Sequence, residues 1–375
     1  MIKRKLLIVG AFPPANTQIF GGIVTICRTL LNSSFSDHFE LVLIDSTQIS
    51  NPPPSIVIRA LFAFLRFIKF SKIFFSEKPD AVLLFTSVGV SVIEKSAMAW
   101  LARLRPIPIF LFPRGAGLIQ TVQASRFQRT WVIAAMRGAT HILCQGPAWQ
   151  RFAKDVLGFS ENQSPIVQNW SATEAILRIG ESRSSTAVVG VPCLLYLGWL
   201  DKEKGIFELL TASLAISKRH LFRLLITGRG NAEVQARAFV QSHDLQDVIE
   251  FVGWVDGEAK EELLRKSDIL ILPSWAEGFP NAIIEAMAAK LAVVVTTVGN
   301  VPDLITDGQQ ALLVPPKDNK ALELAMDRLL LEPQFRAELA ERGHAFARDN
   351  FSVTQGVAKL TSVIDVAIAV NNKGK

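Results

Sequence analysis

The chain has 375 residues, enough for two domains of ordinary size. Hydrophobic residues make up 49% of it and charged residues 20%, and this composition excludes a disordered protein. The three cysteines are far apart, which excludes a disulfide framework and a CxxC zinc or redox site and fits a reducing compartment. They are Cys27, Cys144 and Cys193.

The net charge of +6 is unevenly distributed along the chain. Residues 1–185 contain 20 Lys or Arg and 10 Asp or Glu, whereas residues 186–375 contain 20 and 24. A basic half is typical of proteins that bind an anionic partner. We therefore expect a membrane lipid, a nucleic acid or a phosphorylated substrate on the N-terminal side.

The N-terminus resembles the start of a signal peptide, since Lys3, Arg4 and Lys5 precede an apolar run. That run is short, Pro13 and Pro14 follow it, and no small-residue cleavage site is apparent. We interpret it as a buried first strand. No stretch of 18 purely apolar residues occurs, so we expect no membrane-spanning helix.

Predicted strands follow one another through the whole chain as short apolar runs without polar alternation. Such runs are typical of strands buried on both faces of a parallel sheet. In the first half they are 5–10, 39–44, 81–85, 108–112, 141–144 and 166–168. In the second half they are 193–197, 222–227, 249–252, 269–272, 292–296 and 311–314. Helical segments separate them, so the sequence predicts an α/β protein with two successive doubly wound, Rossmann-like units.

The predicted boundary between the units is a polar run within 178–189. We expect an N-terminal domain over 1–180, a C-terminal domain over 190–350, and a C-terminal helix at about 352–370 that packs back on the first domain. Ligands of such sheets bind outside the carboxyl ends of the strands. The sequence therefore predicts a cleft between the carboxyl ends of the two sheets.

The first candidate site in chain order is the loop after the first strand. It ends in Gly21 and Gly22, and a helical segment follows. Paired glycines at the start of a helix allow a phosphate to approach the backbone amides closely. Glycine pairs are also common in plain turns, so both interpretations stay open.

The segment 56–75 predicts a basic, Phe-rich helix. At 100° per residue, four cations gather on one arc, while apolar residues that include Phe64, Phe67, Phe70 and Phe74 spread over the other. Such a helix is typical of a membrane-surface element, and the four cations are the candidate membrane contacts. The alternative is a core helix with snorkelling basic ends. The four cations are Arg59, Arg66, Lys69 and Lys72.

Two further loops follow predicted strands of the second half. After 193–197 comes a charged turn in which Lys204 precedes Gly205, so this lysine is expected at the carboxyl end of a strand. After 222–227 comes the turn Gly228-Arg229-Gly230. A solvated lysine and an ordinary turn are the alternatives at these two places.

The most specific segment is 273–289, which contains two acids eight residues apart. Glu277 falls on the loop after a predicted strand, and Glu285 falls one turn inside a helix that begins near Asn281. Backbone N–H groups from Gly278 to Ala282 would point outward at the helix N-terminus, which favours an anion such as a diphosphate. The alternative makes Asn281 a helix cap and Glu285 an exposed helical acid.

Together these segments resemble glycosyltransferase family 4, whose members are retaining enzymes of the GT-B fold that use nucleotide sugars. The resemblance covers the C-terminal half well and the N-terminal half loosely. It implies two Rossmann-like domains that face each other across a cleft, and a glycosyltransferase activity. Attack of the acceptor hydroxyl on the same face as the departing phosphate, through an ion-pair-like donor, is how the mechanism of this family is usually drawn.

The resemblance also implies roles for individual residues. Glu277 would contact the donor sugar at the reaction centre, Glu285 would bind the nucleotide ribose, and Lys204 would neutralise the leaving phosphate. The amides around Phe279, Pro280 and Asn281 would hold the diphosphate, aided by Gly22. The complete implied donor-binding set is Gly21, Gly22, Lys204, Gly228, Arg229, Trp254, Gly278, Phe279, Pro280, Asn281 and Glu285.

Two positions depart from the pattern of the family. Trp199 follows Gly198 where the family usually has an arginine, so one phosphate-binding cation is missing, and Arg229 is a candidate replacement. Arg114 precedes Gly115 where many relatives have a histidine. An arginine cannot act as a base near neutral pH. We therefore expect Arg114, the third candidate catalytic residue beside Glu277 and Lys204, to bind donor or acceptor.

Competing chemistries lack their motifs. There is no Asp-x-Asp, no His-Glu-x-x-His, no Walker loop and no Gly-x-Ser-x-Gly, and the five histidines have no ligand spacing. We expect no metal and no cofactor, since the nucleotide sugar is a substrate. The alternatives left open are an epimerase or phosphorylase of the same fold and a non-catalytic nucleotide-sugar-binding protein, which Trp199 favours.

The sequence thus predicts a retaining glycosyltransferase that moves a sugar from a nucleotide sugar to a saccharide or lipid-linked acceptor. Its expected role is the synthesis of a cell-surface polysaccharide such as an exopolysaccharide, O-antigen or lipopolysaccharide. The expected partners include an anionic membrane surface and exclude nucleic acid. The expected location is the cytoplasmic face of the plasma membrane, with peripheral attachment.

Overall fold

The computed structural model describes residues 3–14, 21–48, 54–115, 118–119, 122, 126–183 and 190–373. The chain divides into two compact units, one made of Met1–Trp170 with Val353–Lys375 and the other of Ser171–Ser352. We call them unit 1 and unit 2. Residues 15–20 of the predicted glycine loop and 184–189 of the predicted boundary lie outside the described residues.

Unit 1 contains a five-stranded parallel sheet in the order β2-β1-β3-β4-β5. Its strands are β1 (Arg4–Gly10), β2 (Phe39–Asp45), β3 (Ala81–Thr86), β4 (Ile109–Pro113) and β5 (His141–Ile142). Its helices are α1 (Gly22–Leu31), α2 (Phe35–His38), α3 (Ile56–Glu77), α4 (Val90–Ala102), α5 (Arg126–Met136), α6 (Pro147–Asp155) and the C-terminal α15 (Val353–Lys373).

Successive residues of β1 enter different cores, as the pleat of a strand requires. Leu7 packs with Phe70 and Phe74 of α3 on one face of the sheet, whereas Ile8 packs with residues of α1 and α15 on the other. Because both faces of the sheet are covered, the residues that point to either face are apolar, and the strand shows no alternation of apolar and polar residues. The predicted strand 166–168 was wrong: Ile166 forms a single isolated bridge with Cys144.

Unit 2 contains a six-stranded parallel sheet in the order β11-β10-β9-β6-β7-β8. Its strands are β6 (Cys193–Leu197), β7 (Arg223–Thr227), β8 (Ile249–Gly253), β9 (Ile269–Leu272), β10 (Ala292–Thr296) and β11 (Leu312–Val314). Its helices are α7 (Glu174–Glu181), α8 (Ile206–Ser217), α9 (Glu233–Ser242), α10 (Gly257–Lys266), α11 (Asn281–Ala288), α12 (Val301–Leu304), α13 (Asn319–Leu331) and α14 (Pro333–Phe351).

The division between the units differs from the predicted boundary at residue 180. Helix α7 precedes that boundary in sequence, yet Ile176 and Ile179 on its buried face lie in the core of unit 2. The chain changes unit at Trp170, which is fully buried in unit 1 and donates from its indole nitrogen to the carbonyl oxygen of Ile26 at 3.1 Å. The polar run 178–189 therefore lies inside unit 2, after its first helix.

Among the described helices, α15 has a stretch, Val353–Asn372, that is long and apolar enough to cross a membrane by length and composition. A helix in the core of a soluble protein meets the same criteria, so this is weak evidence. Leu360 and Ile364 of this stretch are buried against β1 and α1 in unit 1.

Candidate functional site

The loop after β9 positions Glu277 at the carboxyl edge of the sheet in unit 2. Its Oε1 accepts a hydrogen bond from Lys204 Nζ at 2.6 Å and another from Ser274 Oγ at 2.9 Å. Oε2 accepts none from the described part of the chain. The structure thus brings together two residues that are 73 positions apart in sequence, and it leaves one carboxylate oxygen of Glu277 available to a ligand.

Tyr196, the single tyrosine of the chain, holds the turn that carries Lys204 through a hydrogen bond. The Tyr196 hydroxyl donates to the carbonyl oxygen of Trp199 at 2.7 Å, and burial raises the pKa of this hydroxyl well above its ordinary value. Gly205 ends the turn with φ of 73°, and a Cβ there would lie 2.0 Å from the carbonyl oxygen of Pro273. Only glycine fits this contact, so the Lys204 turn and the Glu277 loop are locked together.

Glu285 lies in α11, with its side chain 7% exposed, and forms a 2.7 Å ion pair with Lys260 of α10. Sequence reasoning missed Lys260. The strand order explains why: β8 is at the sheet edge, so α10 must cross back over the sheet to reach β9. The nearest sequence signal is a lysine in the first turn of a helix that follows a strand, which is common to many proteins. The expected alternative of an exposed Glu285 was wrong.

The N-terminus of α11 has no side-chain cap. The helix begins at Asn281, as predicted, and its N-cap is Pro280, so the alternative in which Asn281 caps the helix was wrong. The Asn281 Oδ1 atom instead accepts from Ser171 Oγ at 2.8 Å. Pro280 has no N–H and cannot donate to a phosphate, so Phe279 and Asn281 are the residues of the implied set whose amides could do so. The Phe279 ring stacks on Phe351 at 5.1 Å within the core, so only its backbone can contribute to binding.

A second turn supports the same loop from the side of β10. Gly299 has φ of 58°, and a Cβ there would lie 2.0 Å from the carbonyl oxygen of Glu277. The next residue, Asn300, donates its backbone N–H to the carbonyl oxygen of Gly278 at 2.8 Å. Sequence reasoning missed this support, because it depends on β10 being the neighbour of β9.

The loops after β6, β7 and β8 lie side by side at the same edge. Gly228 has φ of 114° and its N–H donates to the carbonyl oxygen of Gly253 at 2.8 Å. The rings of Trp199 and Trp254 pack against each other with centroids 4.9 Å apart. Arg229 is exposed. The structure therefore groups Trp199 with a candidate donor-binding aromatic residue in the position where the family usually has a cation.

In unit 1, Arg114 follows β4 and lies over the rings of Phe112 and Trp170, at 4.8 and 6.0 Å from their centroids. Burial lowers the pKa of this guanidinium from 12.5 to about 10, so it stays charged near neutral pH. Its Nη1 atom is buried without a hydrogen-bond partner among the described residues. Gly21 is the N-cap of α1, and Gly22 is its first residue.

The four predicted membrane contacts on α3 separate into two pairs. Lys69 and Lys72 are exposed. Arg66 is 21% exposed and binds Glu94 of α4 through two hydrogen bonds of 2.6 and 3.0 Å. Arg59 lies on the same side of the helix as Arg66, seven residues earlier. Arg66 is therefore bound to a residue of unit 1, and the exposed cations of the predicted arc are Lys69 and Lys72.

The apolar residues of α3 separate as well. Phe70 and Phe74 are fully buried in the core of unit 1. Nine large apolar side chains of the helix are nevertheless exposed, between 38% and 73%. They are Ile56, Val57, Ile58, Leu61, Phe62, Phe64, Leu65, Ile68 and Phe75. The helix is thus a core element on one side and an exposed apolar surface, flanked by Lys69 and Lys72, on the other.

No group of three His, Cys, Asp or Glu side chains that could hold a metal ion occurs in the part of the chain that the structure describes. The charged groups at the carboxyl edge of the unit 2 sheet are instead two acid–lysine pairs, Glu277 with Lys204 and Glu285 with Lys260. These pairs, together with an uncapped helix N-terminus, can bind polyhydroxylated and anionic parts of one ligand.

Comparison with known proteins finds similarity to one family over part of the chain. Residues 180–346 match the sequence model of the family described as glycosyl transferases group 1. The chain is 26% identical over 192 residues to alpha-D-kanosaminyltransferase of Streptomyces kanamyceticus, which covers 51% of this chain and 49% of that protein. It is 31% identical over 143 residues to an amylovoran biosynthesis glycosyltransferase of Erwinia amylovora, which covers 36% and 35%. The chain therefore spans about half the length of these relatives or less.

The fold has relatives over its whole length. The crystal structure of Anabaena HepE in complex with UDP and glucose has a TM-score of 0.72 and 15% identity, over 97% of this chain and 100% of that chain. This likeness confirms the predicted fold class, two parallel α/β units of the GT-B type. The resemblance to glycosyl transferases group 1 that segment 273–289 indicated is likewise confirmed.

Proposed function

Since residues 180–346 carry the sequence of glycosyl transferases group 1, we propose that this protein is a retaining glycosyltransferase that uses a nucleotide-sugar donor. The observation that carries the proposal is the convergence of the Glu277–Lys204 and Glu285–Lys260 pairs on the uncapped N-terminus of α11. A nucleotide sugar offers ribose and sugar hydroxyls on either side of a diphosphate, and these two acids and this helix end match that order of groups.

Each part of the donor has a candidate partner in unit 2. Glu285 accepts hydrogen bonds from the ribose hydroxyls, and the backbone N–H groups of Gly278, Phe279 and Asn281 bind the diphosphate. Glu277 accepts from hydroxyls of the donor sugar through its Oε2 atom, while Ser274 and Lys204 hold Oε1. The two stacked tryptophans, Trp199 and Trp254, offer an aromatic surface near the same edge, which suits a nucleobase.

The reaction develops negative charge on the departing diphosphate as the bond between the sugar and the phosphate oxygen breaks. Lys204 and the N-terminus of α11 stabilise that charge, since both are fixed before the reaction begins. The acceptor hydroxyl attacks the same face of the sugar and gives its proton to the departing phosphate oxygen. These groups supply the positive charge that the step needs, and we therefore propose that it proceeds without a metal ion or cofactor.

The relatives and α3 support a proposal for the acceptor class. One relative takes its name from amylovoran biosynthesis, which supports a role in the synthesis of a cell-surface polysaccharide on a saccharide or lipid-linked acceptor. The exposed apolar surface of α3, flanked by Lys69 and Lys72, supports attachment to an anionic membrane surface. We propose the cytoplasmic face of the plasma membrane as the site of action.

The donor proposal is tested by incubating the full chain with a panel of nucleotide sugars and scoring binding and slow hydrolysis. Glu285→Gln is expected to weaken donor binding about tenfold or more, because hydrogen bonds to a charged group contribute about 1.5–3 kcal/mol. Glu258→Gln, an exposed acid on α10, is the matched control and should bind as the wild type does. Equal affinity of both variants would remove Glu285 from the site. Binding without hydrolysis or transfer would favour a nucleotide-sugar-binding protein.

The metal-free step and the membrane surface have separate tests. Transfer should persist in EDTA, and a loss that magnesium or manganese restores would overturn the metal-free mechanism. Co-sedimentation with anionic vesicles should be weakened by Lys69→Glu with Lys72→Glu, and a remainder that resists salt should disappear with Leu61→Ser and Phe64→Ser. A wild type that ignores both anionic and neutral vesicles would exclude the membrane-bound location.

A further inference from the structure

Unit 1 contains a cavity of about 330 Å³ at the carboxyl edge of its sheet. Strands β1, β2 and β3 end around it, and α3 and α4 form its walls. This volume is within the range of small-ligand pockets, which begins at about 300 Å³. Gly21 and Gly22, which the resemblance implies for the donor diphosphate, also line the cavity, whereas Glu277 and Glu285 belong to unit 2.

The cavity wall contains a buried cluster of three charged residues. Glu94 accepts from both Nε and Nη2 of Arg66, and Lys95 Nζ donates to the same carboxylate at 2.9 Å. The side chains of Glu94 and Lys95 are each 2% exposed. Arg66 and Lys95 therefore share one carboxylate in a place that water hardly reaches, and burial lowers the pKa of the Lys95 ammonium group.

Arg59 adds a second cation to the same wall. It has no acidic partner among the described residues, and segments 15–20 and 49–53, which lie outside the described residues, contain no Asp or Glu. Asp45 at the end of β2 is the other acid near the cluster. Its carboxylate already accepts from the backbone N–H groups of Phe12 and Thr47, each at 2.9 Å. Arg59 is therefore the cation of this wall that has no acid bound to it among the described residues and can pair with an anionic ligand.

Two helices begin at the cavity, and their N-termini carry partial positive charge. The first turns of α1, at Gly22, and of α4, at Val90, line it, and neither helix has a side-chain cap. Thr47 and Ser91 also line the cavity. The Thr47 hydroxyl donates to Asp45, and the Ser91 hydroxyl accepts from the backbone N–H of Ser87. Helix N-termini, guanidinium and ammonium groups and hydroxyls are the groups that bind phosphate oxygens in proteins.

We propose that this cavity binds a phosphate group of the acceptor, and that the acceptor is a lipid-linked saccharide phosphate. The lipid part is indicated by α3, because the helix presents Arg59 and Arg66 to the cavity and its exposed apolar side chains to the outside. Phe62 takes part in both, since it lines the cavity and is 38% exposed. An amphiphile with an anionic head matches a wall of this kind. The inference rests on the proposed function and specifies its acceptor.

The test is calorimetric titration of the full chain with geranyl phosphate and, as the uncharged counterpart, geraniol. Each titration is carried out with and without saturating UDP, which occupies the donor site. Arg59→Gln removes a cation that has no acidic partner among the described residues. Arg28→Gln, on the exposed side of α1, is the matched loss of charge elsewhere in unit 1. Glu94→Gln keeps the shape of the side chain and removes the negative charge that competes with the ligand.

We expect geranyl phosphate to bind in the presence of UDP and geraniol to bind far more weakly. Arg59→Gln should raise the Kd for geranyl phosphate about tenfold or more, Arg28→Gln should leave it unchanged, and Glu94→Gln should lower it. The affinity for UDP should be the same in all three variants, provided that thermal melting shows each to be folded.

Three outcomes would overturn the proposal. One is equal binding of geranyl phosphate by wild type and Arg59→Gln, and another is loss of that binding when UDP is present. The third is binding of glucuronate, with the same dependence on Arg59, where geranyl phosphate does not bind, because the anion would then be a carboxylate of the saccharide. If the wild type fails to bind UDP while geranyl phosphate binds through Arg59, the cavity proposal stands and the donor proposal fails.

Discussion

Replacing Lys260 by methionine tests whether the Glu285–Lys260 pair holds α11 in its place. The change keeps most of the apolar stem of the side chain and removes the ammonium group that lies 2.7 Å from Glu285 Oε1. Glu285 would then keep a carboxylate that is 7% exposed and has lost its cationic partner. A buried charge that loses its partner destabilises the folded state strongly.

The size of the effect follows from the burial of the two side chains. Breaking a fully buried pair costs about 3–5 kcal/mol, and Lys260 is 18% exposed, so we expect about 2–4 kcal/mol. In a unit of this size each kcal/mol lowers Tm by roughly 2–4 °C, which gives a fall of about 4–16 °C.

The assay is thermal and urea unfolding of wild type, Lys260→Met, Glu285→Gln and the double variant. The double variant should regain most of the loss, since replacing both partners leaves no buried charge. Lys266→Met on the same helix is the control: its pair with Glu262 is exposed, and we expect a change within about 0.5 kcal/mol. The reasoning would be refuted if Lys260→Met were as stable as Lys266→Met. It would also be refuted if the double variant were no more stable than Lys260→Met.

The remaining predictions concern the Lys204 turn and unit 1. Lys204→Ala should lower kcat more than it raises the Kd of the donor, because the negative charge on the departing phosphate grows as the bond to the sugar breaks. Lys202→Ala, which changes an exposed neighbour, is the control. An equal loss of kcat in both variants would exclude the role of Lys204. Gly205→Ala should destabilise unit 2 by about 2 kcal/mol or more and reduce activity, since its Cβ would lie 2.0 Å from the Pro273 carbonyl oxygen. Gly190→Ala is the control and should leave the free energy of unfolding unchanged, because its Cβ would meet no atom of the described residues within 4 Å. Burial lowers the pKa of His141 from 6.5 to about 4, so the unfolded chain binds more protons between these values. The free energy of unfolding should therefore fall by up to about 3 kcal/mol as pH drops from about 6.5 to about 4, and a His141→Gln variant with the same pH dependence would contradict this.

The sequence alone was sufficient for the sheets of both units. Eleven of the twelve predicted strands occur within a residue or two of their predicted bounds, because a strand buried on both faces must be apolar throughout and such runs are easily read. The predicted strand at 166–168 was wrong because a short apolar run carries no information about its neighbours, and Ile166 finds a single bridge at Cys144. Segment 273–289 also indicated the resemblance to glycosyl transferases group 1, whose model matches residues 180–346, since loop and helix residues in this order are specific.

The tertiary structure decided which charges meet. Glu285 pairs with Lys260 because β8 lies at the sheet edge and α10 returns across the sheet, and strand order is set by packing that the local sequence does not encode. In the same way, the spacing of α3 placed Arg59, Arg66, Lys69 and Lys72 on one basic arc. In the structure Arg66 binds Glu94 of α4, Arg59 and Arg66 line a cavity, and Lys69 and Lys72 are exposed. The helical period determines the angles between side chains on one helix, but only packing against a neighbouring helix determines which of those side chains are buried.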